Sequence, residues 1–173
     1  MPASDQDVQA GARYQLIPRT LVFVTCKDRI LLIKGASHKR LWAGRYNGIG
    51  GHVESGESFL EAAQRELWEE AGISGVELIL VGVVTVDTGQ NPGVCIFVLR
   101  VDLSIEDKII IKPELSSSEG MLEWVDLDHL WELPLVEDLE VLLPKALGTN
   151  PGEAPFSAAY SYDDRGSLLI RFS

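Results

Sequence analysis

The chain has 173 residues, with 26 acidic and 15 basic side chains and a formal net charge of −11 at pH 7. This acidity argues against general affinity for nucleic acid backbones or acidic membranes. A hydrophobic fraction of 46% with 24% charged residues is typical of a globular protein. Two cysteines in apolar runs, Cys26 and Cys95, are interpreted as free thiols. The free thiols, together with the absence of a signal-peptide pattern and of a long apolar run, predict a cytoplasmic protein.

The N-terminal half begins with a polar segment, residues 1–12, that is expected to be a disordered lead-in to one domain over residues 13–173. Two β-rich runs, Leu21–Cys26 and Arg29–Lys34, are separated by a two-residue turn and predict a hairpin. A basic loop over residues 35–45 follows. It leads into YNGIGGHV, where glycines allow the backbone to approach another group closely.

The next stretch, GHVESGESFLEAAQRELWEEAGI over residues 51–73, carries an unusual density of carboxylates. Ser58 with Glu61 fits a capping box and Gly72 fits a helix C-terminus, which predicts a helix over Phe59–Ala71. On that helix Glu66, Glu69 and Glu70 occupy an arc of about 100° beside the apolar positions Leu60, Ala63, Leu67 and Ala71. Clustered carboxylates repel one another, and a hard divalent cation would offset that cost.

The C-terminal half alternates strands and helices. Strands are predicted over Val76–Asp87 and Val94–Leu103, then a loop with a short strand at Ile109–Ile111. MLEWVDLDHL predicts a strand that gives way to a helix start near Asp126 or Asp128. A second amphipathic helix in VEDLEVLLPKAL ends at Pro144 or Gly148, and a last hairpin pairs Phe156–Tyr162 with Leu168–Phe172. Mixed strands with interspersed helices predict an α+β fold, a mixed sheet covered by helices.

The acidic stretch resembles the Nudix box, which is a glycine, five residues, a glutamate, seven residues and then REUxEExGU with U aliphatic. Every specified position is filled here, by Gly51, Glu57, Arg65, Glu66, Leu67, Glu69, Glu70, Gly72 and Ile73. The alternative reading, a solvated glutamate-rich helix face, explains the helical acids but not the ordered glycines and arginine. The resemblance implies an α/β/α sandwich in which the box forms a loop, a helix and a loop.

The resemblance also implies roles for the box residues. Glu66, Glu69 and Glu70 match the metal-ligating glutamates, Glu57 matches an outlying fourth acid, and the Gly50 carbonyl matches a main-chain ligand. Arg65 matches the arginine that orients a glutamate, and it is an i,i+4 neighbour of Glu69. The implied cofactor is Mg²⁺, with Mn²⁺ as a substitute. Glu66, Glu69, Arg65 and Glu119 are the candidate catalytic residues. Glu119, five residues before Trp124, is either the general base or a solvated loop acid.

The flanking segments bear on the substrate. YNGIGGHVESGE is similar to a segment of animal MutT-type members of the family, hydrolases of oxidised purine nucleotides. The resemblance implies that Asn47 and Asp138 contact the base. The alternative interpretations are that Asn47 is a turn residue before a glycine and that Asp138 is an exposed helix acid. The sequence departs from the pattern at Val136, where a stacking tryptophan is expected, and at Leu139, where a second acid is expected. Lys34 and Arg45 are candidate phosphate contacts.

Together these features predict a Mg²⁺-dependent hydrolase that splits a nucleoside triphosphate into a monophosphate and pyrophosphate, with 8-oxo-dGTP as the expected substrate. Two alternatives remain open: hydrolysis of ADP-ribose or another nucleotide-linked diphosphate, and a nucleotide-binding regulatory domain without turnover. The expected partner is a small nucleotide rather than nucleic acid or a membrane, and a homodimer is left open.

Overall fold

The computed structural model describes residues 13–37, 42–104 and 120–173. In this part of the chain, strands and helices follow one another in the order β1 (Leu16–Cys26), β2 (Arg29–Gly35), β3 (Tyr46–Asn47), α1 (Phe59–Ala71), β4 (Ile79–Val86), β5 (Gly93–Asp102), β6 (Gly120–Asp126), a 3-10 helix (Leu127–Glu132), α2 (Leu139–Gly148), β7 (Phe156–Tyr162) and β8 (Leu168–Phe172). Among these residues no helix is long and apolar enough to cross a membrane. Two predicted features, the lead-in over 1–12 and the short strand at Ile109–Ile111, lie outside the described residues.

The strands form one mixed sheet in the order β3-β2-β1-β5-β4-β7-β8, with β6 also paired to β2. The pairs β1–β5 and β4–β7 are parallel, and the other named pairs are antiparallel. Apolar side chains from both sides of the strands form two cores, one under α1 and the other under α2. The sheet is therefore sandwiched between helices, as the sequence predicted.

Strands β1 and β2 pair only beside their hairpin turn, from Val24–Leu31 to Cys26–Arg29. Beyond that point the segment after β3 separates them, because Ile49 bridges Val22. The backbone N–H of Thr20 donates to the carbonyl of Gly51 at 2.9 Å. A Cβ on Gly50 would lie 2.2 Å from the Thr20 carbonyl oxygen, so only glycine fits this approach. The glycine-rich segment is thus fixed against the middle of the sheet.

Helix α1 has the bounds that the sequence predicted. The Ser58 hydroxyl accepts the backbone N–H of Glu61, the Glu61 carboxylate accepts the backbone N–H of Ser58, and Gly72 ends the helix in the left-handed region at φ 67°. Its buried positions include Ala62, Ala63, Leu67, Glu70 and Ala71. Leu60, expected to pack inward, is instead 40% exposed because Ala62 takes the inward position near the start of the helix.

Helix α2 carries Asp138 at its N-terminal end and continues through Pro144 to Gly148. The predicted helix near Asp126 is a short 3-10 helix instead. The buried side chain of Arg100 holds the C-terminal end of α2, since its Nη1 donates to the carbonyls of Ala146, Leu147 and Thr149 at 3.1, 3.2 and 2.7 Å. This contact fixes α2 over the sheet and so positions Asp138.

The chain before α2 lies along β3. The backbone N–H of Tyr46 donates to the Pro134 carbonyl, and that of Val136 donates to the Tyr46 carbonyl, both at 3.0 Å. The Tyr46 hydroxyl donates to the Glu123 carboxylate at 2.6 Å. Burial and then this carboxylate raise the pKa of Tyr46 to about 12. These contacts bring Asn47, at the end of β3, and Asp138, at the start of α2, into the same region of the molecule.

Candidate active site

Arg65 is the centre of a polar cluster that joins α1 to the loop before it. Its guanidinium donates to Glu57 through Nε at 2.8 Å and through Nη2 at 3.1 Å. Its Nη1 also donates to Glu66 at 2.9 Å and to Glu69 at 3.3 Å. The Nη2 group further donates to the His52 carbonyl at 3.0 Å. A single planar fork therefore fixes three box carboxylates and the preceding loop.

The electrostatic consequences follow from this geometry. Hydrogen bonding to Arg65 is the main cause that lowers the pKa of the Glu57 carboxyl. The same bond is the main cause that raises the pKa of Arg65 above its ordinary value. Both shifts favour the charged forms, so Glu57 stays a carboxylate at neutral pH. The contact to Glu69 is weaker, because the Glu69 side chain is 55% exposed.

The glutamates of the box differ in burial. Glu70 is 7% exposed, whereas the side chain of Glu66 is 14% exposed and contacts Gly51 closely. A Cβ on Gly51 would lie 2.2 Å from Glu66 Oε1, so the missing side chain at this position makes room for the carboxylate. Glu66 and Glu70 are i,i+4 neighbours on one helix face. The box therefore directs carboxylate oxygens toward the glycine-rich segment.

The donor set fits a hard divalent cation, because carboxylate and carbonyl oxygens are the groups that Mg²⁺ binds. Within the described residues, no three histidine, cysteine or acidic side chains converge in a metal-holding arrangement. Arg65 instead engages Glu57, Glu66 and Glu69. Metal ligation by these residues and by the Gly50 carbonyl remains a prediction.

A cavity of about 490 Å³ opens next to the box. Its lining includes four residues singled out from the sequence, namely Asn47, Gly50, Glu70 and Asp138. Its walls come from β1, the glycine-rich segment, the N-terminal end of α2 and the β7–β8 hairpin. Its volume is in the range of pockets that hold small organic ligands. The cavity thus connects the buried end of the acidic cluster to the candidate base-contacting residues.

Asp138 is a second acidic residue in the wall of this cavity. Burial, reinforced by the neighbouring charge of Glu137, raises the pKa of Asp138. Burial also raises the pKa of Tyr160, and the nearby Asp138 carboxylate adds to that shift. The Tyr160 hydroxyl is therefore buried close to the Asp138 carboxyl. Both residues line the cavity.

Asn47 contacts its own neighbour. Its side-chain oxygen accepts the backbone N–H of Gly48 at 2.9 Å, which is the turn role that the sequence allowed. Because the oxygen is engaged locally, the amide nitrogen is the group that can donate to a ligand in the cavity. The turn and ligand-binding interpretations are therefore compatible.

A family model described as NUDIX domain matches residues 16–146. The chain belongs to the NUDIX domain family. It is 30% identical over 150 residues to the mouse (Mus musculus) protein "Oxidized purine nucleoside triphosphate hydrolase", covering 87% of this chain and 89% of that one. The protein of the same name from Danio rerio is 32% identical over 117 residues, covering 64% and 67%. A crystal structure of a MutT protein from Bacillus halodurans superimposes with a TM-score of 0.66 and 25% identity, covering 91% of this chain and 97% of that one.

These matches confirm three predictions made from the sequence. The protein has the family that the box predicted, it has a mixed-sheet sandwich fold, and it belongs to a family of hydrolases. The matched range contains the whole box and Asn47, Asp138 and Arg100, so the family likeness extends from the box to both sides of the cavity. The family match does not itself assign a substrate to the cavity.

The two candidate phosphate contacts, Lys34 and Arg45, are not among the described residues of the cavity wall. The Lys34 ammonium lies 5.3 Å from the centroid of the Tyr46 ring and forms a cation–π contact. Glu119 lies outside the described residues, so its role as general base stays a prediction.

Arg19, Thr20 and Tyr160 also line the cavity and were not among the predicted site residues. Arg19 Nε and Thr20 Oγ1 are buried polar atoms without a hydrogen-bond partner within the described residues. Buried polar atoms are usually paired, so unpaired ones in a cavity are groups that a ligand or a water molecule can satisfy. Arg19 and Thr20 lie in the first part of β1, which was predicted to start only at Leu21. Extending the strand by its period-2 pattern would have included both.

Proposed function

We propose that this NUDIX protein is a divalent-cation-dependent hydrolase that converts a nucleoside triphosphate to a monophosphate and pyrophosphate, with an oxidised purine such as 8-oxo-dGTP as the preferred base. One observation carries this proposal. The cavity is lined both by Glu70 of the acidic box and by Asn47 and Asp138. A ligand in the cavity therefore spans from the carboxylate cluster to polar groups suited to a base.

The box residues have distinct tasks in this proposal. Glu57, Glu66, Glu69, Glu70 and the Gly50 carbonyl would hold Mg²⁺, or Mn²⁺ in its place. When bound, the cation neutralises phosphate charge and polarises the attacking water. Arg65 holds Glu57 and Glu66 in place through hydrogen bonds of 2.8 and 2.9 Å. The reaction adds water across one P–O–P bridge, and Glu119 is the proposed acceptor of the water proton.

The base end of the cavity supports a nucleotide rather than a simple polyphosphate. Asn47 presents an amide donor, and Asp138 presents a carboxyl group whose pKa is raised by burial. The mouse and zebrafish relatives are named as hydrolases of oxidised purine nucleoside triphosphates, which favours that substrate class here. Val136 lies in the cavity wall where the resemblance expects a tryptophan, so base stacking differs from that pattern.

The proposed setting follows from charge and cysteines. The net charge of −11 disfavours nucleic acid and acidic membrane partners, which leaves a small nucleotide as the substrate. Cys26 and Cys95 are free thiols, which fits a reducing cytoplasm. A homodimer remains a proposal that size-exclusion chromatography with light scattering tests.

A nucleotide panel tests the function. The purified protein is incubated with 8-oxo-dGTP, dGTP, dATP and ADP-ribose, each with Mg²⁺ or with chelator, and the products are separated by ion chromatography. We expect pyrophosphate and the monophosphate, only with Mg²⁺, and the highest kcat/KM for 8-oxo-dGTP. Preferential release of AMP and ribose phosphate would assign the ADP-ribose alternative. Binding of nucleotides without any turnover would assign a regulatory domain.

A further inference from the structure

Arg19 lies in β1 opposite Ile96 of β5. Side chains alternate across a strand, so Arg19 shares a face with Leu21 and Phe23, which lie two and four residues further along β1. Those two residues belong to the core under α2, and Ile96 packs against the same core. The Arg19 side chain therefore points to the α2 side of the sheet, the side that also carries Asp138 and Tyr160.

The Nε atom of Arg19 is buried and has no hydrogen-bond partner within the described residues. A guanidinium is always charged in proteins, and it has donors but no acceptor. Leaving a buried donor unsatisfied is costly, and the cost is removed when an acceptor enters. Because Arg19 lines the cavity, that acceptor can come from a ligand.

The cavity is lined by residues from both faces of the sheet. Helix α1, with the box carboxylates, covers the core that contains Val22 and Ile49. Arg19 is on the opposite face, where the cavity wall near it is built from apolar side chains such as Leu21, Val86 and Ile96. An apolar wall with a few polar groups suits a flat base better than a hydrated phosphate chain.

We propose that Arg19 is a specificity-determining residue that donates a hydrogen bond to a carbonyl oxygen on the edge of the base. With Asp138 it makes the cavity select a 6-oxo purine over a 6-amino purine. This inference rests on the proposed function, since it takes the cavity to be the base site.

The selectivity follows from donor and acceptor patterns. A 6-oxo purine presents a carbonyl oxygen beside a ring N–H, which matches one guanidinium and one carboxylate. A 6-amino purine presents an amino group beside a bare ring nitrogen. The amino group of the base would then face the Arg19 guanidinium, and both are donors. The bare ring nitrogen would face the Asp138 carboxylate, and both are acceptors. Unpaired buried groups of this kind are what reject a wrong substrate most strongly.

The test compares inosine 5′-monophosphate with AMP, which share the sugar and phosphate and differ in the base edge at position 6. Affinities are measured by calorimetry in chelator, so that neither metal nor turnover contributes. We expect the wild type to prefer the inosine nucleotide roughly tenfold or more, the scale of one good bidentate contact. Arg19→Ala should remove most of that preference by weakening the inosine nucleotide, and Arg19→Lys, which keeps the charge but loses the fork, should restore only part of it.

The exposed Arg171 of β8 provides the matched control, and Arg171→Ala should keep the wild-type ratio. If Arg19→Ala weakens both nucleotides equally, Arg19 binds phosphate and the inference is overturned. A wild type without preference overturns it as well. Circular dichroism checks folding, and Arg19→Gln replaces Arg19→Ala if the alanine variant does not fold. If the protein hydrolyses the nucleotide panel but Arg19→Ala keeps the wild-type ratio of affinities for the inosine nucleotide and AMP, only the role of Arg19 is refuted. If the wild type prefers the inosine nucleotide but hydrolyses no nucleotide, only the proposed function is refuted.

Discussion

Replacing Gly51 with alanine perturbs the site through one carboxylate. The new Cβ would lie 2.2 Å from Glu66 Oε1 and 2.6 Å from its carboxyl carbon. Ordinary van der Waals contact begins near 3.4 Å, so the carboxylate has to retreat by about 1 Å. The clash is with the end of a flexible side chain, and the Gly51 backbone has no left-handed φ, so we expect the fold to accommodate the change.

The expected effect on catalysis is much larger than the effect on stability. A misplacement of about 1 Å in a catalytic group can cost about 10²-fold in rate, so Gly51→Ala should lower kcat/KM on that scale. Gly→Ala also reduces the entropy of the unfolded chain, which is worth about 0.4–1 kcal/mol at a compatible site. This gain offsets part of the loss from displacing Glu66. We therefore expect Tm to stay within a few degrees of the wild type.

The assay is pyrophosphate release from 8-oxo-dGTP with Mg²⁺, together with a thermal melt. Gly148→Ala is the matched control, because a Cβ at Gly148 meets nothing within 4 Å. That variant should keep wild-type kcat/KM. Combining Gly51→Ala with Glu66→Gln tests whether the loss arises from displacement of Glu66. In that background Gly51→Ala should lower kcat/KM little further, because Glu66 is already impaired. Wild-type turnover by Gly51→Ala, or a full 10²-fold loss in the Glu66→Gln background, would refute the reasoning.

Three further predictions concern other parts of the molecule. Asp138 has a raised pKa in the folded state, so its own contribution to stability should fall as pH rises above about 4, where the unfolded carboxyl ionises first. In melts between about pH 4 and pH 7, Asp138→Asn should therefore gain stability relative to the wild type as pH rises. Arg65→Lys should lower kcat by roughly tenfold or more in the same pyrophosphate assay, because an ammonium cannot form the fork that holds Glu57 and Glu66 together. Ser58→Ala should lower Tm by roughly 2–4 °C through loss of the capping box, with kcat near the wild-type value.

Helix α1 was predictable to the residue because its ends carry local signals. Ser58 and Glu61 form the capping box, and Gly72 adopts the left-handed conformation that ends the helix. The partner of Arg65 was only partly predictable. The i,i+4 rule points to Glu69, yet the shorter contacts go to Glu57 and Glu66, since the loop before α1 folds back onto the helix. Such a return of the chain leaves no local pattern in the sequence.

The start of β1 shows why this wall of the cavity was harder to predict from the sequence. Pro18 and Arg19 interrupt the apolar run, so the strand was predicted to begin at Leu21 rather than Leu16. The missing residues are held by parallel pairing with β5, from Leu16–Gly93 to Thr20–Phe97. That pairing joins positions far apart in sequence. Tyr160 of β7 reaches the cavity for the same reason, through pairing with β4.

The central claim is that the box carboxylates perform the hydrolysis, and a comparison of two glutamates on α1 tests it most directly. Glu70 is buried at the cavity, whereas Glu61 is bound to Ser58 in the helix cap. Pyrophosphate release from 8-oxo-dGTP is measured with Mg²⁺ for Glu70→Gln and Glu61→Gln, and Mn²⁺ binding to both variants is followed by calorimetry. We predict that Glu70→Gln loses about 10²-fold or more in kcat and binds Mn²⁺ more weakly, while Glu61→Gln matches the wild type in both. Equal turnover and equal Mn²⁺ binding by the two variants would contradict the account.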